Sequence, residues 1–573
     1  MEYRSQALAW LAEDPDPQTR EELQRLLDIG DEVGIEDRFS QRLEFGTAGI
    51  RGALGAGPNR MNRALVRRVT AGLADRLNQA AGAAGARGVV VGRDARHGSD
   101  AFAADTALVL AGAGLGVWQF PQIVPTPVLA YAVNYLEAAA GVMITASHNP
   151  PADNGYKLFG PGGRQVVPPL DVEISAAIDQ VHSLDDVPLA SADSELIWTV
   201  SEEVTHHYGQ QVRALIDPEG PRAIRIVYTA LHGVAGSLCT TVLRDAGFAD
   251  VHPVAAQQQP DPDFPTVSFP NPEEPGAMDA AIALASQVQA DLILANDPDG
   301  DRIAVGVPAG DGWRLLSGDE IGTLLADDIL ARGALTRGGR PHVATTVVSS
   351  SLLAKIAAQH QAGYVETLTG FKWLSQRAEE LAADGGTLVL SYEQALGVSV
   401  GDLVRDKDGI SAALVVADLA ARLQSQGRTI DDALDDLARR HGAHVTLGRS
   451  VMLDPTDGEA VVQQALDRLR ASPPAELGGS AIVQVWDHDA GVMTTAEGTI
   501  EQIDLPPTPL LRLVAKDGTR VMVRPSGTEP KLKFYAEAVQ HVEDPDVARD
   551  RAKTHVVEVL EAFMGHTMSG VKS

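Results

Sequence analysis

The chain has 573 residues, 44% of them hydrophobic and 22% charged, with 47 Lys and Arg against 77 Asp and Glu for a formal net charge of -30. That length exceeds a single core and suggests about four domains, while the charge excludes nucleic acid and anionic membranes as partners. No window approaches the ~20 apolar residues of a membrane span, the start MEYRSQALAWLAEDPDPQ lacks the basic and apolar parts of a signal peptide, and the single cysteine, Cys239, suits a reducing cytoplasm without disulfides.

The N-terminal segment predicts helix, because Thr19-Arg-Glu-Glu22 has capping-box spacing and Leu23, Leu26 and Leu27 follow at helical intervals. Beyond it, short β-rich runs alternate with Ala/Leu-rich stretches. GVVVG (88–92) precedes SDAFAADTALVLAGAG, AIRIVYTA (223–230) precedes GSLCTTVLRDAG, and HVATTVVSSS (342–351) precedes LLAKIAAQHQ. Alternation at this spacing predicts βαβ units and largely parallel sheets. The tail differs: LLRLVAKDGTRVMVRPSG predicts a hairpin turning at Asp517-Gly518, followed by KLKFYAEA and a terminal helix, a small α+β domain. Linkers are expected at 183–195, around 308–318 and near 440–455. The expected domains are 1–205, 206–317 and 318–445, all α/β, and 446–573, α+β.

Three apolar strands end in polar loops: GVMITASHNP (141–150), DLILANDPDGDR (291–302) and TLVLSYEQALG (387–397). In open α/β sheets ligands gather beyond the carboxyl ends of strands, so one such loop per domain predicts related units facing one cleft. DPDGDR sets Asp297, Asp299 and Asp301 at alternate positions, which on extended backbone share a face. Convergent carboxylates call for a cation, and all-oxygen ligation favours Mg²⁺ or Ca²⁺, held with coordination positions left open for phosphate. That points back to Ser147, displayed at a strand end and reading as an exposed hydroxyl. A Ser-His-Asp hydrolase is the rival, but Ser147 lies in no Gly-x-Ser-x-Gly elbow, and the adjacent His148 is poorly placed to deprotonate its neighbour. A phosphoserine that joins the metal satisfies both loops.

RPSGTEPK (524–531) offers Arg524, the hydroxyls of Ser526 and Thr528, and Gly527 to free backbone N–H groups, the parts of a phosphate clamp. EFGTAGIRG (44–52) brings Arg51 as a second anion contact, and SYEQALG supplies Glu393 as an acceptor for sugar hydroxyls. Taken singly, Lys157 in NGYKLFG and Lys407 in VRDKDG read as surface lysines.

The set TASHNP, DPDGDR, the Glu-centred loop and RPSGTEPK, in this order, resembles the α-D-phosphohexomutases, the phosphoglucomutases and phosphomannomutases, from about Leu43 onward. The resemblance implies four domains around a central cleft, three similar α/β domains with mixed or parallel sheets and a smaller C-terminal α+β domain. It implies that Ser147 is the phosphorylated serine, that one Mg²⁺ is held by Asp297, Asp299 and Asp301 with Ser147, and that Arg51 and Arg302 lie by the catalytic phosphate. Thr369, Gly370 and Glu393 would hold the sugar. Lys407, Lys157 and His148 match positions implicated in proton transfer, and Arg524, Ser526, Gly527 and Thr528 would clamp the non-transferring phosphate. The implied enzyme is an intramolecular phosphotransferase, cytoplasmic, monomeric or homodimeric, acting on sugar phosphates and primed by glucose 1,6-bisphosphate.

Phosphoglucomutases usually read Glu-x-Ser in the sugar loop, but here Glu393-Gln394-Ala395 lacks the hydroxyl. With the long N-terminal extension, GTAGIRG…GPNRMN and EQALG…DKDGISAA, this is similar to the phosphoglucomutase-2 and phosphopentomutase branch. Glucose 1-phosphate and 6-phosphate are the expected pair, with mannose or pentose phosphates as the alternative. A Mg²⁺-dependent phosphatase with an aspartyl nucleophile leaves TASHNP and RPSGTEPK without a role, and a non-catalytic sugar-phosphate sensor needs no metal triad.

Overall fold

The protein's structure, a computed structural model, describes residues 2–44, 49–79, 87–336, 338–453, 458–526, 531–541 and 543–569, with Glu459 described by its backbone alone. The chain divides into two compact units: Met1–Gly318 with Leu335–Gly339 and Gly370–Gly427, and Asp319–Ala334 with Arg340–Thr369 and Arg428–Ser573. Among the described residues no helix is long and apolar enough to cross a membrane.

The first unit opens with helices Glu2–Glu13, Pro17–Ile29 and Glu32–Phe39, which bury Ala7, Leu23, Leu26, Leu27, Ile35 and Phe39 together. The capping box expected at Thr19 does not form. Asp16 is the N-cap, accepting from the Gln18 N–H, and Pro17 starts the helix with its φ already set. Thr19 sits inside the first turn and donates to Asp14 at 2.7 Å.

Two sheets follow, each with the parallel pairs that the strand–helix alternation predicts but mixed rather than largely parallel, because hairpin-type antiparallel strands close one edge of each. The first runs Ile50–Ala53, Asp153–Phe159, Ala140–Ile144, Val89–Arg93, Val117–Gln119, Ile197–Thr199. Its centre is parallel, Val89–Arg93 pairing with both Val117–Gln119 and Ala140–Ile144, and every residue of Ala140–Ile144 is buried. Such two-sided burial explains why this strand is an unbroken apolar run. The second sheet runs Gly312–Leu315, Ala304–Ala309, Leu292–Ala295, Ile226–Thr229, Val251–Pro253. Part of the linker expected at 308–318 is instead the closing hairpin of this sheet, because Gly310 (φ 55°) makes a tight turn and Val307 pairs back with Arg314. The unit also holds the antiparallel pair Gly386–Glu393 and Gly397–Val400.

In the second unit Arg340–Thr346 and Gly363–Thr367 pair in parallel. An antiparallel sheet is built on Ala443–Met452, Lys531–Gln540, Arg520–Pro525, Leu511–Ala515 and Ser480–Asp487, with the hairpin at Asp517-Gly518 where the sequence places it. Helices Gly458–Ala471 and Pro545–Met568 cover it, burying Leu466, Leu469, Val521, Phe534, Leu560 and Phe563. The linker expected near 440–455 is overturned: Ala443–Met452 pairs along its length with Lys531–Gln540. It is an edge strand whose side chains are mostly half-buried or exposed, so it lacks the apolar run that announces a central one.

Candidate active site

Strand Ala140–Ile144 delivers the chain to Ser147, which adopts a left-handed backbone (φ 54°) that costs a non-glycine residue about 1 kcal/mol. The Ser147 N–H donates to Thr145 Oγ1 at 2.9 Å. Ser147 is only 1% exposed, against the exposed hydroxyl that the sequence suggests. Its Oγ donates to Asp297 Oδ2 at 2.9 Å and lies 3.3 Å from His148 Nδ1. The expectation that His148 is badly placed is therefore corrected, since the left-handed turn at Ser147 folds the neighbouring ring back towards the hydroxyl. Burial, with Arg302 and Arg51 nearby, pushes the His148 imidazole well below its ordinary value, so it is neutral.

The carboxylates converge by a different route from the one the spacing suggests. After strand Leu292–Ala295 the chain turns, the Gly300 N–H donating to Asp297 O at 2.9 Å and Gly300 taking φ 75°, a conformation that glycine adopts freely. The turn, not alternation along an extended strand, brings ligand atoms of Asp297, Asp299 and Asp301 within 4.8 Å of one another, all three residues 0% exposed. Asp299 Oδ1 and Asp301 Oδ1 are buried without a hydrogen-bond partner. Two orphaned hard oxygen donors, on Asp299 and Asp301, within three converging carboxylates fit a divalent cation such as Mg²⁺.

Lys157, on strand Asp153–Phe159, places Nζ 2.6 Å from Asp299 Oδ2 and 2.8 Å from Asp301 Oδ2. Lys407 Nζ lies 3.4 Å from Asp301 and 3.3 Å from Asp406, and 5.3 Å from the centre of the Phe371 ring. Both lysines are buried, at 1% and 7% exposure, which corrects their reading as surface residues. A side chain on Gly397 would strike the Lys407 stem, its Cβ falling 2.5 Å from Cδ. Burial raises Asp297, and its two carboxylate neighbours raise it further. Burial opposes ionisation of Asp299 and Asp301 too, but Lys157 holds both below the usual carboxylate range, with Lys407 and Arg302 adding to the effect on Asp301. Burial likewise opposes the Lys407 charge, and Asp301, Asp406 and Glu393 more than offset it, so this ammonium stays protonated.

Two arginines complete the cluster. Arg51, on the strand paired with Asp153–Phe159, is depressed by burial although Asp299 and Asp301 favour its charge. Arg302 follows the triad directly, with Nε 4.0 Å from Asp297 Oδ2 and 3.9 Å from Asp301 Oδ1, while Nη1 donates to Ala395 O at 2.6 Å. The loop that carries the triad and the loop after Glu393 are thus stitched together, Ile303 N–H also donating to Leu396 O at 3.1 Å. Glu393 Oε1 accepts the Gly370 N–H at 2.8 Å.

One unit thus assembles Ser147, His148, Lys157, the three aspartates, Arg51, Arg302, Gly370, Glu393 and Lys407. Thr369, Arg524 and Ser526 belong to the other unit. There Thr369 Oγ1 and Arg524 Nε are buried without a hydrogen-bond partner, and the Arg524 guanidinium lies 6.0 Å from the centre of the Tyr535 ring. The Ser526 N–H donates to Lys531 O at 2.8 Å. Gly527 and Thr528 lie outside the described residues.

Sequence reasoning passed over several contributors. Thr126 donates its hydroxyl to Asp299 Oδ2 at 2.8 Å, Asp406 grips Lys407, and Arg96 binds the backbone of the serine loop. The signal available for Arg96 was a run with three charges in four residues, Arg93-Asp94-Ala95-Arg96, at the end of an apolar strand.

Comparison with known proteins agrees with this architecture. Family models for phosphoglucomutase/phosphomannomutase match as alpha/beta/alpha domain I over residues 42–185, domain II over 204–310, domain III over 317–441 and the C-terminal domain over 489–554. The chain is 40% identical to the probable phosphomannomutase of Haemophilus influenzae, over 83% of this chain and 93% of that protein. It is 36% identical to the probable phosphoribomutase of Schizosaccharomyces pombe, over 93% of each. A phosphoglucomutase/phosphomannomutase family protein from Burkholderia thailandensis shares the fold with a TM-score of 0.68 at 21% identity, over 92% of this chain and 98% of that one. Four successive family domains and relatives matched over nearly their whole length leave one conclusion: the chain belongs to the phosphoglucomutase/phosphomannomutase family of the α-D-phosphohexomutase superfamily, and is a phosphotransferase of the phosphomutase type.

Proposed function

We propose that this phosphomutase interconverts the 1-phosphate and 6-phosphate of a hexose, glucose first, and that it also accepts pentose 1-phosphates. The observation that carries the reading is the Ser147 hydroxyl, buried and 2.9 Å from Asp297 in a carboxylate triad neutralised by Lys157 and Lys407. Phosphorylated Ser147 donates its phosphoryl group to the free hydroxyl of a sugar monophosphate. The P–O bond to Ser147 breaks, a P–O bond to the sugar forms, and the hydroxyl proton leaves to a base. His148, neutral and beside Oγ, suits the base, whereas Lys407 is held protonated and suits charge neutralisation or proton donation. The bisphosphorylated sugar then returns its other phosphate to Ser147.

Mg²⁺, held by Asp297, Asp299, Asp301 and the phosphorylated serine, would supply further neutralisation of the transferring group. Arg51 and Arg302 flank that group. Glu393 with Thr369 and Gly370 hold the sugar, and Arg524, Ser526, Gly527 and Thr528 take the other phosphate. Glucose 1,6-bisphosphate is the expected primer of Ser147. The four-domain division belongs to the same proposal, with boundaries at 205 and 317 and the last one, expected at 445, moved ahead of strand Ala443–Met452, as does a cytoplasmic enzyme, monomeric or homodimeric, acting on free sugar phosphates. Ala395 supports the broadened specificity, since a methyl group leaves one hexose hydroxyl without a partner.

The test is a panel of glucose, mannose, glucosamine, ribose and deoxyribose 1-phosphates, with Mg²⁺ and glucose 1,6-bisphosphate, read by ³¹P NMR. Isomerised phosphate on glucose and on at least one pentose is expected. Release of inorganic phosphate without isomerisation, or an inert enzyme, would refute the proposal.

A further inference from the structure

Arg96 stands three residues beyond strand Val89–Arg93 and reaches neither the triad nor the sugar loop, yet it is only 4% exposed. Its guanidinium is spent on one segment. Nη2 donates to the carbonyls of Ser147 at 2.8 Å and Asn149 at 2.5 Å, and Nη1 to those of Pro150 at 2.7 Å and Asp153 at 3.1 Å. Asp94 Oδ2 lies 3.4 Å from Nε, and the Phe264 ring covers the guanidinium at 5.0 Å. Asp94 also receives the Ser99 hydroxyl and the Arg96 N–H, while Asn154 donates to Ser99 Oγ and to His97 O.

Burying a guanidinium is costly, and carbonyls of a surface loop are ordinarily satisfied by water. A rigid fork on four carbonyls does what water cannot: it fixes their mutual positions. The segment it fixes begins at Ser147, whose left-handed backbone persists only where its surroundings over-determine it. The Thr145 hydroxyl holds the Ser147 N–H and Arg96 holds its C=O, so both backbone polar groups of this serine are pinned.

We propose that Arg96 is a positioning residue for phosphoryl transfer: it holds Ser147 in the strained geometry that aims Oγ at the carboxylate triad. This rests on the proposed mutase reading. Arg96 touches no reacting atom, so its loss should slow transfer in both directions while leaving sugar-phosphate binding alone.

The test uses the full chain with Mg²⁺, comparing Arg96→Ala and Arg96→Lys with wild type. Misplacement of a reacting group by ~1 Å costs about 100-fold, so kcat of Arg96→Ala should fall by about that factor while KM stays within about threefold. Added guanidinium ion should raise the rate of Arg96→Ala in a concentration-dependent way. It should restore nothing in Ser147→Ala. Intact mass after incubation with glucose 1,6-bisphosphate should show slower phosphorylation of Arg96→Ala. Arg96→Lys, which keeps the charge but not the fork, should be slow as well. Wild-type kcat in Arg96→Ala, a loss carried by KM, a loss that guanidinium leaves untouched, or failure of both variants to fold by circular dichroism would each overturn the inference. If wild type isomerises no sugar phosphate the mutase reading falls by itself, and the phosphorylation rate of Ser147 still decides the role of Arg96.

Discussion

Asp299→Asn separates metal binding from catalysis, because each oxygen of this carboxylate has a different employment. Oδ2 accepts from Lys157 at 2.6 Å and from Thr126 at 2.8 Å, while Oδ1 is buried with no partner and is the oxygen left for a cation. An asparagine can satisfy one side only. With its oxygen towards Lys157 and Thr126, its NH₂ points at the cation position; flipped, the NH₂ meets the lysine ammonium. The first arrangement keeps the protein folded, since Lys157 retains Asp301 at 2.8 Å, and a weakened charge-assisted hydrogen bond costs about 1.5 kcal/mol. The cation loses both a ligand and a charge. Changes one shell further out typically cost 10–100-fold in affinity, so the loss here should be at least ~100-fold, or about 2.7 kcal/mol. At a Mg²⁺ concentration about 100 times the wild-type dissociation constant, wild type should gain about 2.7 kcal/mol of stability and the variant about 0.4 kcal/mol or less. Denaturant unfolding with Mg²⁺ and with EDTA reads this without any turnover. An equal Mg²⁺ gain in both proteins, or none in wild type, would refute the assignment of the triad.

Three further outcomes are expected. Arg524→Ala removes a guanidinium suited to a phosphate dianion, a contact worth roughly 1.5–3 kcal/mol, so KM for sugar phosphates should rise at least about tenfold; an unchanged KM would take this loop out of the site. Ala395 is half-buried beside Glu393, and Ala395→Ser offers a neutral hydrogen bond of about 0.5–1.5 kcal/mol, so the hexose-to-pentose ratio of kcat/KM should rise several-fold; an unaltered ratio would show that the position does not set sugar choice. His488 is lowered to about 4 by burial and by Arg512, and neither ring nitrogen has a hydrogen-bond partner. The unfolded chain therefore binds a proton that the fold refuses between about pH 6.5 and 4, and stability should fall as pH falls through that window, by up to about 3 kcal/mol, and stay flat above it. His488→Gln should flatten this limb in denaturant unfolding at pH 7 and 4.5, and an unchanged limb would count against it.

The α/β architecture was legible because buried strands such as Ala140–Ile144 and Leu292–Ala295 are unbroken apolar runs followed by helical ones. Strand Ala443–Met452 was not, since an edge strand owes its pairing to a partner far along the chain rather than to its own pattern. Ser147 and the aspartates could be read as a site because charge and hydroxyl at strand ends have no place in a core. Their geometry could not. Burial of Lys157 is decided by carboxylates from another sheet, the approach of His148 by the left-handed backbone at Ser147, and the convergence of the aspartates by a turn at Gly300. The charges around Arg96 are visible in the sequence but its role is not, because its partners are backbone carbonyls, which leave no mark there.

The central claim, that phosphate travels by way of Ser147, is tested most directly by intact mass and turnover on the same samples. Wild type incubated with glucose 1,6-bisphosphate and Mg²⁺ should carry one phosphate, mapped to Ser147 and lost on adding excess sugar monophosphate. Ser147→Ala should fold as wild type does, take up none and isomerise nothing. Near-normal turnover by Ser147→Ala, or a phosphate found on an aspartate of the triad, would contradict the account.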